Sequence, residues 1–119
     1  AQHLPLLQVQ CQTNSDTLLI GWGSTEGHLH AAAEQIGCAL AHFNYIHPLP
    51  MNTEEVLHQY KRLIVCELNN GQFAAYLRSK ISDIVLEQYN ELTAQPFAVE
   101  RIVHAVNKTK GNVYGSKSI

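Results

Sequence analysis

The sequence predicts an α/β protein in which a parallel sheet carries helices on both faces. Two continuous apolar runs, within Thr17 to Trp22 and Arg62 to Glu67, suit strands covered on both sides. Between and after them lie segments with helical apolar spacing. The connections are short and hold glycine, proline and asparagine. Strand and helix therefore alternate, and right-handed crossovers follow. The 119 residues fit one domain, and a chain of this size buries about two-thirds of its unfolded surface.

The elements follow in order. Leu4-Pro5-Leu6-Leu7-Gln8-Val9-Gln10-Cys11 reads as a short edge strand, since Pro5 excludes it from a sheet centre, or as a linker from a preceding domain; residues 1–16 are assigned to one or the other. Asn14-Ser15-Asp16 is a turn. Residues 17–22 form the first strand of the core and run into the glycine turn Gly21 to Gly27. Segment 26–37 is helical, with Leu29, Ala32, Ala33 and Ile36 on one face and Gly37 at its C-cap. Ala39 to Ile46 is the second strand, ended by His47-Pro48-Leu49-Pro50 because proline removes donors and fixes φ. Thr53-Glu54-Glu55-Val56 opens a helix with Asn52 or Thr53 as N-cap and acids in its first turn. Arg62 to Glu67 is the third strand. Leu68-Asn69-Asn70-Gly71 turns it into a helix over 71–81 with Phe73, Ala74, Leu77 and Ile81 inward. Asp83 to Gln88 is the fourth strand, and Glu91 to Pro96 a loop. A last helix runs from Phe97 to 107, burying Val99, Ile102, Val103 and Val106. Residues 107–119 read as a loose polar tail.

Composition narrows the partners. A formal charge of −2 provides no basic field for nucleic acid. No apolar run is long enough for a membrane helix, and no signal peptide is visible. The expected compartment is the cytoplasm. The start at Ala1 rather than methionine suggests a trimmed product or a piece of a longer protein. Cys11, Cys38 and Cys66 form no C-x-x-C pair, so neither zinc nor an iron–sulfur cluster is signalled; the thiols are read as free, in a reducing compartment.

In such a sheet the ligand or partner edge lies at the strand C-terminal ends. Those ends carry Gly21–Gly27, Tyr45–Pro50, Glu67–Gln72 and Tyr89–Pro96. Gly21-x-Gly23-x-x-x-Gly27 comes near the dinucleotide fingerprint without matching it. The acid that would hold the ribose is also missing, because no Asp or Glu occurs from 39 to 53. A small anion on the turn, or a purely structural turn, are the alternatives. Among the seven histidines, His28 and His30 diverge by about 200° on a helix. His42 falls mid-strand and His58 mid-helix. No acid or cysteine is read at ligand spacing beside them, so no metal site is expected. Glu67 ends a buried strand where amides gather. It is either a general base or partner contact, or the cap of the helix beginning near Gly71, with the cap favoured. Ser24 lacks the Gly-x-Ser-x-Gly elbow of a nucleophilic serine.

Four loops taken together resemble a known family. Gly21-Trp22-Gly23-Ser24-Thr25-x-Gly27, Pro48-Leu49-Pro50, Glu67-Leu68-Asn69-x-Gly71-Gln72 and Gln95-Pro96-Phe97 occur in the order and spacing of the C-terminal domain of the alpha subunit of 2-oxoacid:ferredoxin oxidoreductases, most closely the 2-oxoglutarate (KorA-type) branch. The resemblance covers 17 to about 106. It implies a transketolase C-terminal-like fold, with three layers and a mostly parallel five-stranded sheet. One edge strand is then antiparallel, either the segment near 4–11 or a later strand. It also implies a whole enzyme that uses thiamine diphosphate, Mg²⁺ and iron–sulfur clusters to decarboxylate a 2-oxoacid, passing electrons to ferredoxin and the acyl group to coenzyme A. This chain lacks the Gly-Asp-Gly motif that holds the Mg–diphosphate and any cysteine cluster. The family places thiamine between the preceding alpha-subunit domain and the beta subunit. The expectation is a domain with no catalytic residue, inactive alone, that assembles and shapes the site. Its candidate interface or anion-binding residues are Gly23, Ser24, Thr25, Gly27, Pro48, Leu49, Pro50, Glu67, Asn69, Gly71 and Gln72, with Tyr45 or Phe97 as aromatic anchors. The alternatives are the C-terminal domain of a transketolase or of a 2-oxoacid dehydrogenase E1 beta chain, and a stand-alone anion- or nucleotide-binding module.

Overall fold

In a computed structural model of the chain, residues 5–11, 14–23, 26–67, 71–90 and 99–108 are described. The element order is β1 (Val9–Gln10), β2 (Thr17–Trp22), α1 (Glu26–Ile36), β3 (Ala39–Phe43), α2 (Thr53–Leu57), β4 (Arg62–Glu67), α3 (Gln72–Lys80), β5 (Leu86–Asn90) and α4 (Val99–Lys108). Among the described residues the sheet has five strands, in the order β1-β3-β2-β4-β5. Strands β3, β2, β4 and β5 are parallel. The edge strand β1 runs antiparallel to β3, with Val9 opposite Ala41. The expected mostly parallel five-stranded architecture is the one observed, and the antiparallel edge is the segment that contains Pro5.

Strand alternation divides the core into two. Leu18, Ile20, Ala39, Ala41, Phe43, Leu63, Val65 and Leu86 pack with Val56, Leu57, Phe73, Ala74 and Leu77 of α2 and α3. Leu19, Leu40, Ile64, Cys66 and Tyr89 point the other way, against Leu29, Ala32 and Ala33 of α1 and Ile102, Ala105 and Val106 of α4. Both faces of the central strands are thus covered, which is why β2 and β4 read as apolar runs rather than alternating patterns.

Three expected boundaries move. The strand expected over Ala39 to Ile46 ends at Phe43. Its partner β2 ends at Trp22, opposite Phe43, so Asn44 onward has no ladder to join. The strand expected over Asp83 to Gln88 runs from Leu86 to Asn90 instead. Pairing with β4 begins at Leu63 opposite Leu86, and its polar residues are accommodated by two arginines. Arg62 grips the Glu87 carboxylate with Nε at 2.7 Å and Nη2 at 2.8 Å. Arg78 Nη2 donates to Gln88 Oε1 at 2.8 Å. Helix α4 is described from Val99, and its expected start at Phe97 lies outside the described residues. Asn52 is the N-cap of α2 by position but makes no side-chain cap bond. Its amide accepts from the Leu7 N–H at 2.8 Å and donates to the Leu7 carbonyl at 2.9 Å, which ties the approach to β1 onto the sheet.

Candidate functional site

The parallel strands all end at one edge, where the loops after β2, β3 and β4 meet. After Trp22 the chain turns at Gly23, whose φ of +82° lies in the left-handed region that glycine adopts without strain. A Cβ at Gly23 or Gly27 would meet nothing within 4 Å. The turn therefore needs glycine at 23 for its dihedral angle. The Gly23 carbonyl accepts a 2.9 Å bond from His42 Nε2. That bond assigns the proton to Nε2 and leaves Nδ1, which is buried without a partner and 3.9 Å from Glu26 Oε1. Trp22 is 39% exposed and lies 6.0 Å from the Phe73 ring, which in turn meets Phe43 edge-on at 5.1 Å.

The loop 44–52 is held from several sides. Tyr45 donates its hydroxyl to the Pro5 carbonyl. Tyr76 of α3 donates to the Ile46 carbonyl at 2.8 Å, and its ring meets His47 edge-on at 4.9 Å. The Pro50 carbonyl accepts from both the Thr53 N–H at 3.0 Å and the Thr53 hydroxyl at 2.6 Å. The His47–Pro48 peptide is cis. Pro48 is exposed, Leu49 half-buried and Pro50 buried, while Met51 stands out at 93% exposure.

At the end of β4, the Glu67 carboxylate is 2% exposed. Its Oε1 accepts from the Phe73 N–H and its Oε2 from the Ala74 N–H, both at 2.8 Å. These are two of the donors left without intrahelical partners at the start of α3, and a negative charge there is favoured by the helix dipole. Gly71 precedes the helix at φ +86°, a conformation that lets the chain reverse so that the helix start faces the strand it has just left. Glu67 thus caps α3, and a carboxylate committed in this way is not poised as a base. Gln72 is exposed on the first turn. Of the candidate residues, Gly23, Gly27, Pro48, Leu49, Pro50, Glu67, Gly71 and Gln72 are described, and the strand order brings them to one edge. Ser24, Thr25 and Asn69 lie outside the described residues.

The N-termini of α1 and α3, which open directly from the loops after β2 and β4, both face acids. Glu67 occupies that of α3, and Glu26 stands in the first turn of α1, where it accepts from Gln10 Nε2 at 2.6 Å. A diphosphate would meet negative charge at either position. The described residues do not fit thiamine diphosphate, and no step through it is assigned to this chain.

Two features escaped the sequence reading. The first is the buried Arg62–Glu87 pair, for which the sole signal was a charged residue inside each apolar strand. The second corrects the expectation that no acid or cysteine sits at ligand spacing from a histidine. Cys11, His30 and Glu34 form one group whose donor atoms lie within 4.8 Å of one another, and Glu54, His58 and Asp83 form another. Both contain an i, i+4 pair that shares a face: His30–Glu34 on α1, and Glu54–His58, whose histidine, expected mid-helix, is the C-cap just beyond α2. The third member comes from a distant part of the chain. The cysteines are all free. Burial pushes the Cys38 thiol from its ordinary 9.0 up to about 12. Burial, with smaller contributions from Cys38 and Glu67, raises Cys66 as well.

No protein-family model matches the chain. Over 84 residues it is 40% identical to the 2-oxoglutarate oxidoreductase subunit KorA of Mycobacterium tuberculosis, a match that takes in 66% of this chain and 13% of that protein. Its fold superposes on part of the 2-oxoglutarate:ferredoxin oxidoreductase of Magnetococcus marinus, solved with 2-oxoglutarate, coenzyme A and succinyl-CoA bound. There the TM-score is 0.77 at 24% identity, covering 88% of this chain and 20% of that one. The chain thus spans between about an eighth and a fifth of the proteins it matches. By sequence the chain is thus similar to one segment of a 2-oxoglutarate oxidoreductase subunit, and it shares its fold with one segment of a 2-oxoglutarate:ferredoxin oxidoreductase.

Proposed function

We propose that this chain is the C-terminal, non-catalytic domain of the alpha subunit of a 2-oxoacid:ferredoxin oxidoreductase of the 2-oxoglutarate type. In this reading residues 17–106 are the domain core, 1–16 an edge strand or linker before it, and the last helix reaches two residues, to Lys108, into the segment 107–119 read as a tail. The whole enzyme oxidatively decarboxylates a 2-oxoacid to its acyl-CoA with thiamine diphosphate, Mg²⁺ and iron–sulfur clusters, and passes electrons to ferredoxin. The domain packs against the preceding alpha-subunit domain and the thiamine-binding beta subunit, in the cytoplasm.

The observation that carries this reading is the uneven use of polar and apolar groups at the strand C-terminal edge. Glu67, the buried carboxylate there, is spent on the α3 cap. Of the four large apolar side chains that stand exposed among the described residues, Leu6, Trp22 and Met51 belong to this edge, and Val85 alone lies elsewhere. Rigid loops that present apolar side chains over a sealed polar interior suit a protein–protein contact better than a reaction centre. Two measurements test the proposal. The chain is expected to co-purify with the upstream alpha-subunit domain and the thiamine-binding subunit. Calorimetry is expected to give no heat when thiamine diphosphate is titrated into the chain alone, and tight 1:1 binding would refute the non-catalytic assignment.

A further inference from the structure

We infer that Cys11, His30 and Glu34 form a zinc site on the β1 side of the sheet. The three residues come from two elements. Cys11 follows β1 with a φ of +55°, and His30 and Glu34 lie one turn apart on α1. Thiolate, imidazole and carboxylate are the three donor types that zinc takes, and three protein ligands with an open fourth position form a common zinc geometry. Bond lengths of about 2.3 Å to sulfur and about 2.0–2.1 Å to nitrogen and oxygen, at a tetrahedral angle, separate sulfur from nitrogen by about 3.6 Å and nitrogen from oxygen by about 3.4 Å. Cys11 Sγ lies 3.8 Å from His30 Nε2, and His30 Nε2 lies 3.4 Å from Glu34 Oε2.

A second, independent feature prepares the histidine. His30 Nδ1 is 2.8 Å from Gln10 Oε1. The Gln10 amide is itself oriented by Glu26, to which its Nε2 donates at 2.6 Å. The Gln10 oxygen can only accept, so Nδ1 carries the proton and the Nε2 lone pair is left to bind, with Glu34 Oε2 3.4 Å from it. An imidazole whose other nitrogen donates to an oxygen is the usual orienting arrangement behind a metal-bound histidine. Cys11 Sγ is nearly equidistant from the two ring nitrogens, at 3.6 Å and 3.8 Å. Binding an ion at Nε2 thus requires Cys11 Sγ to move from beside the ring to the Nε2 side. Because β1 is antiparallel, Cys11 lies toward the N-terminal ends of the parallel strands, away from the edge proposed for subunit contact. The site does not depend on that proposal.

The Glu54–His58–Asp83 group serves as an internal control. It is exposed throughout, and its histidine is already engaged with Asp83 Oδ1 at 3.0 Å. The test uses the untagged, reduced 119-residue chain, with the fold of each variant checked by far-ultraviolet circular dichroism. Zinc competition against a chromophoric chelator is expected to give one equivalent bound. Cys11→Ser and His30→Ala should each weaken it at least tenfold, and His58→Ala should leave it unchanged. Gln10→Ala, which removes the orienting acceptor, should weaken it by about tenfold. Cobalt loading should give a near-ultraviolet thiolate charge-transfer band that disappears in Cys11→Ser. Zinc affinity unaltered by Cys11→Ser, lost instead on His58→Ala, or a cobalt spectrum without the thiolate band would each overturn the assignment.

Discussion

Replacing Glu67 should destabilise the domain without any catalytic role being involved. The carboxylate is 2% exposed and accepts from the Phe73 and Ala74 N–H groups at 2.8 Å each. Glu67→Ala leaves two buried donors unpaired. Each unsatisfied group costs about 1–3 kcal/mol, so about 4 kcal/mol is expected for the pair. Glu67→Gln keeps the shape and one acceptor but turns an amide NH₂ toward the second N–H, for about 2 kcal/mol. Domains of this size have about 5–15 kcal/mol in all, so the alanine variant approaches the limit of folding. The assay is urea unfolding followed by fluorescence. Trp22 is the single tryptophan and packs on Phe73, the residue whose N–H the carboxylate holds. At about 4 °C per kcal/mol, the glutamine variant should melt about 8 °C lower. If Glu67→Gln stayed within about 0.5 kcal/mol of wild type, the level typical of inconsequential surface changes, the capping argument would be refuted.

Other outcomes follow from the same coordinates. Glu87→Ala, which removes the carboxylate bound by the buried Arg62 guanidinium, should cost about 3–5 kcal/mol in denaturant unfolding, whereas Arg62→Met with Glu87→Leu together should cost far less. An additive double variant would argue against coupling of the pair. The Cys38 thiol, raised from 9.0 to about 12, stays protonated in the fold after it would ionise in the unfolded chain. The unfolded state then binds fewer protons, so stability falls as pH rises from 9 toward 12, by about 1 kcal/mol at pH 10 from this thiol. Cys38→Ala should flatten that fall, measured by melts at pH 8 and pH 10. Iodoacetamide at neutral pH should modify Cys11 well before Cys38 or Cys66, which are each 1% exposed; equal labelling of all three in the native chain would contradict their burial. Trp22→Asp with Met51→Asp should leave the melting temperature within a few degrees yet weaken co-purification with the other enzyme parts. Undiminished co-purification would move the interface elsewhere.

What the sequence determined by itself was the part of the fold carried by local periodicity. The apolar runs in β2 and β4 and the inward stripes of α1, α3 and α4 were legible because one element's burial pattern repeats within a few residues. Glu67 was legible as a cap because the start of α3 lies only five residues beyond it. For the segment near Pro5 the sequence left an edge strand and a linker open, and only its antiparallel pairing with β3 decided between them. What the tertiary structure alone decided depends on residues that the chain separates widely. β5 starts at Leu86 and runs on to Asn90 because it pairs with β4 from Leu63 to Glu67, and no local pattern records that Glu87 meets Arg62, 25 residues away. β3 stops at Phe43 because β2 ends beside it, although β-forming residues continue to Ile46. The Asn52 amide serves Leu7, 45 residues upstream, in preference to the helix it begins. Cys11 and His30, 19 residues apart, become neighbours only once β1 has paired with β3 at the edge of the sheet. Periodicity reports which face of an element is buried, but hydrogen-bonded register and the packing of distant elements settle which polar atoms meet there.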